Sequence, residues 1–108
     1  MRNPFSEPHG QSVGKIILQQ LGGTGRLSAM IGAHSFVSQS RGVQFKLKAK
    51  ALGGVNAIVI TLEPSDTYRL EFFRIRARHP TLVAEYDNVY ADGLRGIIER
   101  QTGLALSL

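Results

Sequence analysis

The sequence predicts an α+β domain in which a four-stranded antiparallel β-meander is flanked by an N-terminal and a C-terminal helix. Apolar residues recur at helical spacing from Val13 to Leu21 and again from Tyr90 to Gln101, whereas residues 27–77 follow a period of two. Turn-forming residues divide that middle segment into strands. Two amphipathic helices can cover one face of such a sheet.

The size and composition of the chain are typical of a single domain. It has 108 residues and no cysteine, which excludes disulfide bonds and thiolate metal ligands. No segment approaches the ~20 apolar residues of a membrane-spanning helix, and the first residues do not resemble a secretory signal. We therefore expect a cytoplasmic protein in which residues 12–108 form one α+β domain after a flexible tail, residues 1–11.

The first elements are predicted from caps, glycines and alternation. The N-terminal helix is expected to begin after Ser12, which can cap it, and to end at Gly22. The first strand is expected over residues 27–34, before a serine-rich turn that ends at Gly42. Residues 43–50 give the clearest strand pattern of the chain, because apolar residues alternate there with Gln and Lys.

The next strands are predicted with one irregularity. Gly53-Gly54 can supply the positive φ angles of a tight turn, and residues 55–62 are apolar at most positions, as in a strand that is buried on both faces. Residues 68–77 form a long strand in which the apolar positions change parity, so we expect a β-bulge near Phe72-Phe73. Residues 81–86 form either a short fifth strand or a simple crossing.

The C-terminal segment is predicted to be helical and then apolar. The helix is expected to start at Asp87 or Asn88 and to end at Thr102-Gly103. The last residues are too apolar for a solvated tail, so they pack either on the body of the protein or in a homo-oligomer contact. This apolar stripe consists of Leu104, Leu106 and Leu108.

Positive charge is concentrated in two of the predicted strands. The chain has 13 Lys and Arg against 8 Asp and Glu, a net charge of +5. Residues 41–50 and 69–78 hold eight of the 13 cations, opposed only by Glu71. If the helices cover the Phe45 side, the lysines of the first segment point to the opposite face. The predicted bulge brings the later arginines to the same face.

Such a face is suited to binding a phosphate backbone, because several cations that contact phosphates release the counterions condensed on the nucleic acid. The alternative is a solvated sheet face, which also carries charged residues. Phe45, Phe72 and Phe73 are expected in the core, so no stacking platform for bases is predicted. The predicted nucleic-acid-binding residues are Lys46, Lys48, Lys50, Arg69, Arg74, Arg76 and Arg78.

Patterns of catalysis or cofactor binding are absent from the sequence. Residues 22–25 are glycine-rich, but they follow a predicted helix and lead into a strand, the reverse of a phosphate loop. The three histidines lack the spacing of metal ligands. Asp92 and Glu99 would lie two helical turns apart, too far to act on one bond. We expect no enzyme, no catalytic residue, no metal site and no cofactor.

Several short segments occur in a set order along the chain. They are Leu21-Gly22-Gly23, Met30-Ile31-Gly32-Ala33, Phe45-Lys46-Leu47, Ile60-Thr61-Leu62, Asp66-Thr67-Tyr68, Glu71-Phe72, Val89-Tyr90-Ala91 and Thr102-Gly103-Leu104. Together they resemble a family of small uncharacterised proteins encoded by tailed bacteriophages and prophages. The resemblance covers residues 16–108 and implies a phage or prophage origin and expression in the cytoplasm of a bacterial host cell. That family has no assigned activity, so no functional residue is implied.

The sequence thus predicts a small non-enzymatic phage-type protein that binds nucleic acid through a basic sheet face. A basic face also docks on acidic proteins, so the alternative is a protein-binding inhibitor or modulator of a host bacterial enzyme or defence system. A membrane is not expected among the partners.

Overall fold

The computed structural model describes residues 9–106. Within this range the chain is an α+β domain whose helices cover one face of a five-stranded antiparallel sheet. Short 3₁₀ turns at Leu52–Gly54 and Ala91–Gly93 precede the third strand and the last helix. The helices and strands are α1 (His9–Gln20), α2 (Thr24–Ile31), β1 (Ala33–Gln39), β2 (Gly42–Leu47), β3 (Ala57–Leu62), β4 (Tyr68–Arg76), β5 (His79–Val89) and α3 (Leu94–Thr102).

The strands lie in the sheet in the order of the sequence, and each is antiparallel to the next. This confirms the predicted meander and the position of β3 between β2 and β4. The sheet has five strands rather than four, because residues 81–86 belong to β5, which has 11 residues. The last helix therefore starts at Leu94 and not at Asp87 or Asn88, and it ends at the predicted Thr102.

One hydrophobic core lies between the helices and one face of the sheet. Ile17 and Leu21 of α1 and Ile98 of α3 are fully buried there. We name the opposite side of the sheet the open face. No helix within residues 9–106 is long and apolar enough to cross a lipid bilayer. The core residues of the three central strands include Val43, Phe45, Ile58, Ile60, Leu70 and Phe72.

The first predicted strand, residues 27–34, is wrong because most of it belongs to α2. Leu27 and Ile31 are fully buried on one side of this helix. The two residues are four positions apart, so the same pair fits both a helical and an alternating pattern. Gly32 ends the helix with a φ of 68°. The serine-rich segment predicted as a turn is the edge strand β1, which begins at Ala33.

Helix α1 begins at His9, inside the predicted tail, and Ser12 lies within the helix rather than at its start. Residues 1–8 of that tail lie outside the described residues. Gly22 and Gly23 follow the helix with φ angles of 102° and 90°, so the predicted helix stop is confirmed. These glycines connect two helices, whereas the sequence predicted that they lead into a strand.

Where they are described, the C-terminal leucines pack on the body of the chain. Leu106 is fully buried in the core, and its backbone N–H donates to Glu99 Oε2 at 2.7 Å. Leu104 is partly buried against the same core, and Leu108 lies outside the described residues. The side chain of Leu106 is thus used within its own domain, and a homo-oligomer contact through this segment stays a prediction.

Candidate nucleic-acid interface

The side-chain alternation of β4 is continuous, which decides where its arginines lie. β3 and β4 pair without a register shift along their whole ladder. Phe72 is fully buried on the helix side, so Arg74 and Arg76, at steps of two residues, lie on that side as well. Phe73 and Ile75 lie on the open face. The prediction that the lysines of β2 and the arginines of β4 share the open face is therefore wrong.

The predicted irregularity at Phe72-Phe73 exists, but the extra residue is on the neighbouring strand. In the β4–β5 ladder Phe72 pairs with Ala84 and Phe73 pairs with Leu82, which leaves Val83 of β5 without an opposite residue. A bulge on β5 does not change the faces of β4. Phe73, which the sequence placed in the core, is consequently half-buried on the open face.

The predicted lysine row is divided because β2 ends at Leu47. Lys46 is exposed and lies on the open face. Lys48 and Lys50 are exposed in the connection to β3, and the backbone N–H of Lys48 donates to the carbonyl of Gly32 at 3.0 Å. Of the three lysines, Lys46 alone occupies the predicted face.

Lysines and arginines nevertheless meet at the end of the sheet where β2 stops and β4 turns into β5. Lys48, Lys50 and Arg76 line one open cavity of about 430 Å³. Arg74 reaches the same connection, where its Nη1 donates to the carbonyl of Gly53 at 3.1 Å. We name this group the cationic end; it consists of Lys48, Lys50, Arg74, Arg76 and Arg78.

Gly53 and Gly54 shape the cationic end. Their φ angles are 68° and 74°, as predicted, but they belong to a 3₁₀ turn within a longer connection rather than to a tight hairpin. A Cβ atom at Gly54 would lie 2.9 Å from Cδ of Arg74, so glycine allows this arginine to lie against the turn.

A two-residue hairpin turn carries the last arginine of the group. Arg76 pairs with His79, and the residues between them, Ala77 and Arg78, have φ angles of 50° and 67°. Two positive φ angles in a two-residue turn are typical of type I′, whose twist matches that of hairpin strands. The turn places Arg78 at the tip of the hairpin, two residues after Arg76.

Arg69, the remaining predicted site residue, belongs to an ion-pair group at the other end of the strands. Its guanidinium donates to Glu85. Nη1 of Arg69 lies 3.8 Å from Oε1 of Glu63, and Nε lies 3.7 Å from Oδ1 of Asp87. The hydrogen bond and the charge of Glu85 are the main causes that raise the pKa of Arg69 above its ordinary value. Arg69 therefore stays charged, and the carboxylates around it already balance its charge. We name its surroundings the acidic end, with Glu63, Glu71, Glu85 and Asp87.

The open face also carries exposed and half-buried apolar side chains, which the sequence did not predict. Val37 and Leu82 have exposed fractions of 46% and 47%. Val59, predicted to be buried on a two-sided inner strand, is only half-buried. A depression of about 410 Å³ lies on this face, and its lining combines apolar with polar residues. The apolar ones include Val37, Val59, Phe73, Ile75 and Pro80, and the polar ones are Ser35, Gln44 and Lys46.

The histidines and acidic residues considered above as catalytic groups or metal ligands are not grouped as a metal site among the described residues. Nδ1 of His34 lies 2.9 Å from Oγ of Ser35. Asp92, predicted to share a helix with Glu99, lies in the 3₁₀ turn before α3. Within residues 9–106, no three His, Cys, Asp or Glu side chains are grouped so that they could hold a metal ion.

The chain matches no protein-family model, no curated protein and no solved structure. The resemblance to phage and prophage proteins stays a prediction from the sequence. The described side chains offer two kinds of binding chemistry. The cationic end presents Lys and Arg groups that attract phosphates or carboxylates, and the open face presents apolar side chains to another surface.

Proposed function

We propose that the protein is a non-enzymatic module that binds nucleic acid through the cationic end rather than through the face of the sheet. The observation that carries this proposal is the convergence of Lys48, Lys50 and Arg76 on one cavity. The phage origin and the bacterial cytoplasm belong to the same proposal, and they rest on the sequence resemblance.

The charges around the cavity favour a polyanion. The ion pairs formed among the described residues all involve Arg69, so the cations of the cationic end have no carboxylate partner within residues 9–106. Lys provides mobile ammonium donors, whereas Arg provides a planar fork that matches phosphate oxygens. The group can therefore contact several phosphates in succession along a nucleic-acid backbone.

A salt titration tests the proposal. Labelled single-stranded and double-stranded DNA are titrated with the full chain at several salt concentrations, and binding is followed by fluorescence anisotropy. Neutralisation of up to five phosphates predicts a plot of log K against log salt with a slope of up to about −4.5 for duplex DNA and about −3.5 for a single strand. Absence of binding at low ionic strength would overturn the proposal.

The alternative function is that of an inhibitor or modulator of a host protein that docks through an acidic surface. The same cavity favours it, because carboxylates and phosphates attract the same cations. Affinity capture from nuclease-treated bacterial lysate separates the two functions when DNA titrations are run in parallel. A stoichiometric protein that binds the wild type but not Lys48→Glu/Arg76→Glu, without DNA binding by the wild type, would favour the alternative.

A further inference from the structure

The open face carries apolar side chains where a solvated sheet would carry polar ones. One-sided antiparallel sheets normally alternate between apolar residues on the core side and polar residues on the water side. Here Phe73 of β4 pairs with Ala57 of β3, Val59 lies diagonally beside them, and Ile75 follows Phe73 on the same face. Leu82 extends this surface onto the edge strand β5, whereas Val37 on β1 lies beyond the polar side chain of Gln44 on β2. An exposed apolar patch bordered by polar side chains, here Gln44 and Lys46, is typical of an interaction site.

The charges on the open face indicate what covers it. Glu71 and Glu85 are directly opposite each other on β4 and β5, an arrangement that destabilises a sheet unless a cation compensates. Arg69 donates to Glu85, whereas Glu71 has no ion pair among the described residues. On the other side of β3 lies Lys46, a cation that also has no ion pair within that range.

We propose that the open face binds the open face of a second copy of this chain. The two-fold axis would lie midway between the two sheets, parallel to the strands and over β3, so that β2 of each copy lies over β4 of the other. Such aligned packing of two sheets is common, with strand directions about 30° apart. In this arrangement Lys46 of one copy lies over β4 of the other copy, near Glu71. The two side chains are offset along the strand direction by only two residues, about 6.6 Å.

The size of the face sets the strength of this dimer. Five strands about 4.8 Å apart and three outward positions per strand give roughly 400 Å² per copy. The buried total of about 800 Å² is below the roughly 1,200 Å² at which standard stable interfaces begin. We therefore expect a reversible dimer with a dissociation constant in the micromolar range. The proposal does not depend on whether the cationic end binds nucleic acid.

Sedimentation velocity of the full chain, over protein concentrations from about 5 to 500 μM, tests the dimer. We expect a sedimentation coefficient that rises from monomer to dimer. Val37→Asp and Leu82→Asp should each weaken the dimer at least tenfold. Both side chains are nearly half exposed, so these variants are expected to fold. Ile16→Asp is the matched control, because Ile16 is 50% exposed on α1, away from the open face.

A charge exchange tests the partner and the orientation. Lys46→Glu should weaken the dimer, and Lys46→Glu/Glu71→Lys should restore it to within about threefold, because the proposed pair is rebuilt with its signs reversed. A chain that stays monomeric at the highest concentration would overturn the proposal and would leave a different protein as the occupant. A dimer that Val37→Asp, Leu82→Asp and Lys46→Glu do not weaken would overturn it as well.

Discussion

Asn56 binds both backbone polar groups of Ile75 with its side-chain amide. Nδ2 of Asn56 donates to the carbonyl of Ile75 at 2.9 Å, and Oδ1 accepts from the N–H of Ile75 at 2.8 Å. The β3–β4 ladder stops at Ala57 and Phe73, so this amide replaces a strand residue beyond the end of β3. It holds the part of β4 that carries the arginines of the cationic end.

Asn56→Ala should therefore lower the free energy of unfolding by about 1–3 kcal/mol, because two partly buried hydrogen bonds are lost. Amide hydrogen exchange should accelerate at Ile75 more than at Leu70. Urea denaturation and exchange measured by NMR check both expectations. Gln44→Ala is the control: its amide accepts only from the exposed side chain of Gln39, and we expect a change below about 0.5 kcal/mol. Equal losses in the two variants would contradict the role of Asn56.

Removing single cations should change the salt dependence of DNA binding according to position. Lys48→Ala and Arg76→Ala should each reduce the magnitude of the slope by about 1, because each removes one phosphate contact. Arg69→Ala should leave the slope unchanged, since the carboxylates of the acidic end already balance the charge of Arg69. Anisotropy titrations of the three variants at matched salt concentrations check this. A reduced slope for Arg69→Ala would instead place the contact on the sheet face.

The hairpin between β4 and β5 offers a stabilising substitution. Ala77 has a φ of 50°, a conformation that Asn adopts more readily than Ala. Ala77→Asn should raise the free energy of unfolding by about 0.5–1 kcal/mol, and it retains the charge of Arg78 for binding. Ala77→Val, with a β-branched side chain at the same position, should lower it. Urea denaturation of both variants checks the expected opposite signs.

Leu106 and Leu104 should differ in their contribution to stability. Leu106→Ala should lower the free energy of unfolding by about 2–5 kcal/mol, because Leu106 is fully buried in the core. Leu104→Ala should lower the free energy of unfolding by less, since Leu104 is only partly buried. Thermal and urea denaturation measure both. A negligible effect of Leu106→Ala would contradict the packing of the C-terminal segment on the domain.

The sequence predicted the central strands well and the first strand poorly, for physical reasons. β2 shows a clear alternation, whereas β3 was predicted from an apolar run between Gly53-Gly54 and the turn-forming Pro64-Ser65-Asp66 segment. β4 follows that segment and alternates with one change of parity. β1 contains a register shift after His34, and Ser35 has a φ of 58°. A bulge interrupts the period of two, and the strand pattern was instead found in the apolar residues of α2.

The position of the arginines was mispredicted because apolar residues were assumed to mark the core. Phe73 and Ile75 are apolar but lie on the open face, so their change of parity does not reflect a bulge in β4. Pro80 lies within β5, and this edge strand tolerates proline because one side of its backbone makes no ladder bonds. The residues of the cationic end could be found from the sequence, whereas the surface they form could not.

The cationic end and the acidic end lie at opposite ends of the same strands, so the protein carries a permanent electric dipole moment along the sheet. In the field of a polyanion such a molecule rotates before contact, and the hairpin tip that bears Arg78 arrives first. The association rate constant with the polyanion should then be high at low salt and should fall as added salt shortens the Debye length. In a dimer whose two-fold axis follows the strands, the two dipole moments add instead of cancelling, and the orienting torque on each pair of subunits doubles.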